Sequence, residues 1–148
     1  MPHAGLIDEN TLGPVEGPRQ RARLHIRGGK RRLRQGKLSA GIATLYDALT
    51  AAMLSSVDDP EKKTKLDIKE GENLNDEETS YAVLVRSGVL DGAFDFRAFS
   101  QLTEKALDEE IPWFDYHELL AGIESVMTQL GVMPFDEEAL PPEDPKTF

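Results

Sequence analysis

Cysteine is absent from this 148-residue chain. That absence excludes a disulfide framework, thiolate zinc sites, iron–sulfur clusters and cysteine nucleophiles. Tryptophan occurs once and aromatics make up only 7% of the residues, so rings do not interleave with cations as stacking recognition of single-stranded bases requires. No apolar run approaches the roughly 20 residues that span a bilayer. The opening MPHAGLIDENTLGPVEGP lacks the basic region and apolar stretch of a secretory signal. A cytoplasmic protein with no membrane association is expected. GxSxG, HExxH and phosphate-cradling glycine motifs are also missing. No cofactor, no metal site and no catalytic residue is therefore expected.

What is present fits one domain. A mass of 16.4 kDa leaves no room for a second substantial core, and 39% hydrophobic against 30% charged residues is slightly polar for a globular protein. Residues 1–18, with Pro2, Gly5, Gly13, Pro14, Gly17 and Pro18, read as a flexible arm. From Arg19 to about Gln35, Ala22, Ile26, Gly29 and Leu33 recur at helical spacing on one face, and Gly36 closes the helix. A second helix to about Ser55 carries Leu38, Ile42, Leu45, Leu49 and Met53, so the spacing predicts an antiparallel hairpin. Residues 57–75 read as a long charged loop. Further helices are expected from Asp76 to Gly88, from Asp95 to about Glu110 and, after an Asp115/Glu118 capping box, to about Leu130. Residues 141–148, rich in proline and acid, read as a frayed tail. No strand is convincing. The fold class is an all-α compact bundle of about five helices spanning 19–140.

Charge is the sharpest feature beyond architecture. The net charge of −10 argues against a general nucleic-acid coat unless the cations are segregated. They are: residues 17–46 hold nine of the 17 basic residues and no acid, leaving eight basic against 27 acidic elsewhere. At 100° per residue, Arg23, Arg27, Lys30 and Arg34 lie within about 60° of one another, forming a basic stripe beside the apolar face. Such a stripe suits salt-sensitive, sequence-independent nucleic-acid binding. The alternative is neutralisation within the bundle by acids such as Asp108, Glu109 and Glu110, or by another copy or an acidic partner.

Two smaller features bear on partners. Gly41, Ala48 and Ala52 form a small-residue face on the second helix, suited to close helix packing or to a dimer. Trp113 and Phe114, between two helices, are either an aromatic binding anchor or a plug at the helical corner. Asp115, His117 and Glu118 are explained by capping rather than chemistry.

The stretch from Ala22 to Ser55 resembles a single tetratricopeptide-type hairpin, with Gly29 at the small site of the first helix, Gly36 at the turn, and Gly41, Leu45 and Ala48 on the second. That resemblance implies protein binding. The basic first helix, the alanine-rich GKLSAGIATLYDALTAAM and the further amphipathic helices are similar to HEPN-type bundles. That family accompanies nucleotidyltransferases or acts on RNA, and its nucleases carry an Arg and a His a few residues apart, as Arg19 and His25 are. The expectation drawn from all of this is a small non-catalytic intracellular interaction or assembly module that binds a protein partner or itself. The alternative is a HEPN-like protein associated with nucleic acid or a nucleotidyltransferase through the basic first helix.

Overall fold

The computed structural model describes residues 9–148. They form α1 (Glu9–Arg34), α2 (Leu38–Val57), the short α3 (Pro60–Lys63), α4 (Glu77–Arg86), α5 (Phe96–Asp108) and α6 (His117–Gln129), followed by two 3-10 turns at Glu137–Ala139 and Pro145–Thr147. Among the described residues there is no strand, and the molecule is an all-α bundle with five helices of useful length. α2 is its hub. It packs along α1 and also meets α3, α4, α5 and α6, which is why Leu38, Ile42, Leu45, Leu49 and Met53 are all buried while one face, at Ala40 and Asp47, stays exposed.

The hairpin is closed by a helix-ending motif that requires a left-handed residue. Gly36 has φ 76°; its N–H donates to the Leu33 carbonyl at 3.0 Å and the Lys37 N–H to the Arg32 carbonyl at 2.9 Å, which satisfies two carbonyls that the helix end would otherwise orphan. The two helices then approach closely through reciprocal glycines. A methyl group on Gly29 would lie 2.7 Å from the Leu45 side chain, and one on Gly41 would lie 2.7 Å from that of Leu33. Each glycine is the hole that takes the other helix's leucine. The same register sets Ile26 level with Ala48 and Ala22 with Ala52, all four buried.

Several boundaries differ from expectation. The arm expected over 1–18 is helical from Glu9; residues 1–8 lie outside the described residues. Gly13, at φ 87° and ψ −178°, breaks α1 into two pieces, and Pro14 directly after it occupies a first-turn position where its missing N–H costs nothing. No run was expected to match a bilayer span, yet α2, at 20 residues, is long and apolar enough by length and composition to cross a membrane; 67% of it is buried inside the bundle. A mostly buried core helix passes the same test of composition.

The loop expected over 57–75 is held rather than loose. Asp59 caps α3 by accepting from the Glu61 N–H at 3.0 Å, and Ser87 Oγ accepts from the Asp67 N–H at 2.7 Å. Arg86, at the end of α4, donates from Nε to the Asp67 carbonyl at 3.0 Å and from Nη1 to Glu72 at 3.2 Å. Its Nη2 also donates to the Asp67 carbonyl and to Glu72. This bidentate grip holds the Glu72 carboxyl below its ordinary value, chiefly through the Arg86 hydrogen bond.

An aromatic cluster joins α2, α4 and α5. Tyr81 stacks on Phe96 with centroids 5.2 Å apart, Tyr46 meets both Phe96 and Phe99, and Phe94 meets Phe99 edge-on. Phe94 also fills the space that a side chain at Gly122 of α6 would occupy, 2.7 Å from where its Cβ would be. The turn before α5 thus plugs the bundle, with Asp95 capping α5 through the Ala98 N–H at 3.0 Å. The Asp115/Glu118 capping box is not formed: Asp115 Oδ1 accepts from the His117 N–H at 3.1 Å, one residue too early, and Tyr116, the residue before α6, makes no side-chain cap.

Candidate functional site

The basic stripe is mounted on α1, and the C-terminal segment lies along it. Arg23 Nε donates to the Val132 carbonyl at 3.1 Å, and its guanidinium lies 5.7 Å from the Phe135 ring centroid. Arg27 lies 3.6 Å from the Glu143 carboxylate. Arg31 Nε donates to the same carboxylate at 2.7 Å, and its guanidinium sits 4.4 Å from the Phe148 ring centroid. Lys30 faces Glu124 of α6 at 3.6 Å, whereas Arg34 is exposed. Of the four stripe residues, three therefore meet groups of the same chain. The acids that do this are Glu16, 3.7 Å from Arg23, with Glu124 and Glu143. Asp108, Glu109 and Glu110 were the candidates read from the sequence, and the last two serve another purpose.

Glu109 and Glu110 sit at the start of α2. The Ser39 hydroxyl donates to the Glu109 carbonyl at 2.8 Å, the Ile111 N–H donates to that hydroxyl at 2.8 Å, and the Ser39 N–H reaches a Glu110 carboxylate oxygen at 3.5 Å. Lys37 supplies no side-chain cap to α2, so the loop after α5 supplies one from outside the helix.

The tail expected to fray over 141–148 is instead docked at Glu143 and Phe148. Glu143 is only 13% exposed at its side chain, with Arg31 at 9%. Burial lowers the affinity of Arg32 for its proton, the neighbouring Arg31 adds to that and Glu143 opposes it; Arg23 is lowered too, mainly by burial. Both remain cations at any ordinary pH.

The face of Gly41, Ala48 and Ala52 is fully inside the monomer. It is the α1–α2 seam, and the dimer reading of it is corrected accordingly: a surface already filled by Leu33 offers nothing to a second copy. The aromatic pair divides. Phe114 packs against the core and meets Tyr116 edge-on at 6.4 Å, as a corner plug does. Trp113 does not plug anything; it is 72% exposed. Leu107, at the end of α5, is 71% exposed. An inward face of Phe99, Leu102, Ala106 and Leu107 is what the apolar pattern of α5 predicts; Phe99 and Ala106 are buried, whereas Leu107 lies on the edge turned to solvent. Exposed acids flank the two along the chain, Glu104, Asp108, Glu109, Glu110, Asp115 and Glu118, with the exposed Lys105 3.6 Å from Glu109 and the exposed His117 beside Asp115. A shallow groove of about 310 Å³ between α2 and α5, bordered by Tyr46, Thr103 and Leu107, leads into this corner.

His25, which has the Arg19 spacing of the HEPN-type nucleases, is fully buried, so a substrate cannot reach its ring in this packing. His117 Nδ1 lies 2.5 Å from Asp115 Oδ1 with both side chains exposed, and this contact holds the Asp115 carboxyl below its ordinary range. Among the described residues no group of His, Asp and Glu is arranged to hold a metal ion. No protein-family model, curated protein or solved structure matches the chain.

Proposed function

We propose that the chain is a small non-catalytic interaction module, and that its open docking corner is the C-terminal end of α5 with the loop that follows. The observation that carries this reading is the exposure of Leu107 and Trp113, 71% and 72%, in a stretch of chain where six exposed acids outnumber the exposed Lys105. Aromatic anchors with a charged rim are the usual composition of protein interfaces. The acids select a partner of opposite sign, a basic segment that brings an apolar face to the groove between α2 and α5.

Trp113 is the sole tryptophan, so its fluorescence reports this corner alone. Titration with an amphipathic helical peptide of lysine and leucine is expected to shift the emission to the blue and to saturate, with binding weakened about tenfold by Leu107→Ser, the usual size of a central contact. An unchanged emission, or an equal response to a glutamate-and-leucine peptide, overturns the reading.

A second reading, association of the basic first helix with nucleic acid or a nucleotidyltransferase, has the exposed Arg34 and Lys37 at the hairpin turn in its favour. A mobility shift with RNA and DNA at low and moderate salt tests it. No binding at low salt removes it.

A further inference from the structure

We propose that the basic face of α1 is a peptide-docking site for an acidic segment that carries an aromatic residue a few positions after its acid, and that the chain's own residues 132–148 are the occupant which such a partner must displace. The proposal stands apart from the acidic corner described above.

The site already displays its mode of recognition. Arg23, Arg27 and Arg31 recur every fourth residue, about 6 Å apart along the helix axis, and all three meet the tail: Arg23 a backbone carbonyl, Arg27 and Arg31 the two oxygens of one carboxylate, and Arg31 an aromatic ring as well. An arginine row reading acid and ring together is a recurring way to hold peptides. The occupant is incomplete, however. One carboxylate, Glu143, serves both Arg27 and Arg31, nearer to Arg31 at 2.7 Å than to Arg27 at 3.6 Å. Arg27 Nε and Nη2 are buried without a hydrogen-bond partner. Each guanidinium brings a full charge and five donors, so a segment with a second acid at this position satisfies Arg27 better than the tail does.

The tail is also built to leave. Between Val132 and Phe148 it contains no helix longer than three residues. Pro134, Pro141, Pro142 and Pro145 interrupt it, and Leu140 is its buried side chain beyond Val132. Its advantage over a partner is tethering, which gives it an effective concentration on the order of millimolar. A nucleic-acid backbone would also neutralise these cations. Phe148 on Arg31 and the Val132 carbonyl on Arg23 are peptide contacts, though, and the rest of the chain carries eight basic against 27 acidic residues, which repels a polyanion.

The test keeps the chain at full length. The receptor is the double variant Glu143→Ala/Phe148→Ala, which disables the tethered occupant, and the probe is a labelled synthetic peptide of residues 134–148. Anisotropy is expected to show saturable binding to the double variant at least about tenfold tighter than to the unaltered chain, because the unaltered tail competes at its tethered concentration. Replacing the probe's own Glu143 or Phe148 by Ala removes the binding. Helix content by circular dichroism confirms that the receptor is folded; if it is not, the single variant Phe148→Ala serves as receptor. Equal binding to both chains overturns the proposal, as does binding of a labelled RNA duplex but not the peptide. Dimers of the unaltered chain that grow with concentration, and vanish in the double variant, identify a second copy's tail as one source of the peptide. Their absence with peptide binding intact assigns the site to a foreign segment.

Discussion

The basic face of α1 and the acid-flanked corner beyond α5 are two charged surfaces that the chain treats in opposite ways. Over α1 it lays its own carboxylate and rings, so Arg27 and Arg31 are nearly covered. At the corner it leaves Leu107 and Trp113 in water among acids. The difference teaches that charge segregation alone does not mark a binding surface. What matters is whether the chain itself supplies the complement, and here it does so for the cations and not for the apolar acidic edge.

The largest test removes the frame on which both surfaces stand. Gly41→Val places a branched side chain against Leu33, where even a methyl group would come within 2.7 Å; overpacking of this kind is expected to cost about 3 kcal/mol, read as a lower denaturant midpoint. A loss of less than about 0.5 kcal/mol would show that the hairpin has slack which the reciprocal glycines deny.

Next in size is the filled surface. Glu143→Gln removes the charge shared by Arg27 and Arg31 and is expected to lower stability by about 1.5 kcal/mol, the usual worth of a hydrogen bond to a charged group. Amide exchange should rise from Met133 to Phe148 and stay unchanged in α2. A uniform rise across the molecule would instead mean that the tail is part of the core.

The loop held by Arg86 sharpens the comparison through pH. Glu72 has its acidity increased in the folded state, so its contribution is complete above the ordinary carboxylate range and is lost as pH falls through and below it. Acidification below about pH 4, or Arg86→Ala at neutral pH, is expected to speed exchange at Asp67–Asn75 before α2 loosens. Protection that persists in the variant would put the restraint elsewhere, on Ser87 for example.

The smallest stability effect belongs to the open corner. Trp113→Ala and Leu107→Ser should each change stability by no more than about 0.5 kcal/mol, since neither side chain is packed. The loss of peptide response in Leu107→Ser with an unchanged midpoint separates docking from folding there.

Much of the scaffold was legible because periodic burial leaves a periodic trace. Leu38, Ile42, Leu45, Leu49 and Met53 announce a helix with a buried face, and Asp76 and Asp95 announce two helix starts by the chemistry of a cap. Gly29 and Gly41 were readable as sites of close approach, though not which leucine each would receive. The surfaces were less legible. Phe114 and Trp113 are adjacent and chemically alike, yet one packs and the other does not, since a loop's path decides which ring turns inward. Arg86 gave no signal: its partners lie 14 and 19 residues away in the loop, at no regular spacing.

By itself, the sequence determined that this chain is all-α, that its first two helices form a hairpin, and that eight of its 17 cations stand on the first of them with one acid-free stretch around them. Those properties arise between residues near one another, where helical geometry converts spacing into a face. Only the tertiary structure decided that Arg27 and Arg31 are covered and that Leu107 and Trp113 are not. Arg31 and Glu143 are separated by 112 residues, and attraction between charges has direction in space but no period along the chain.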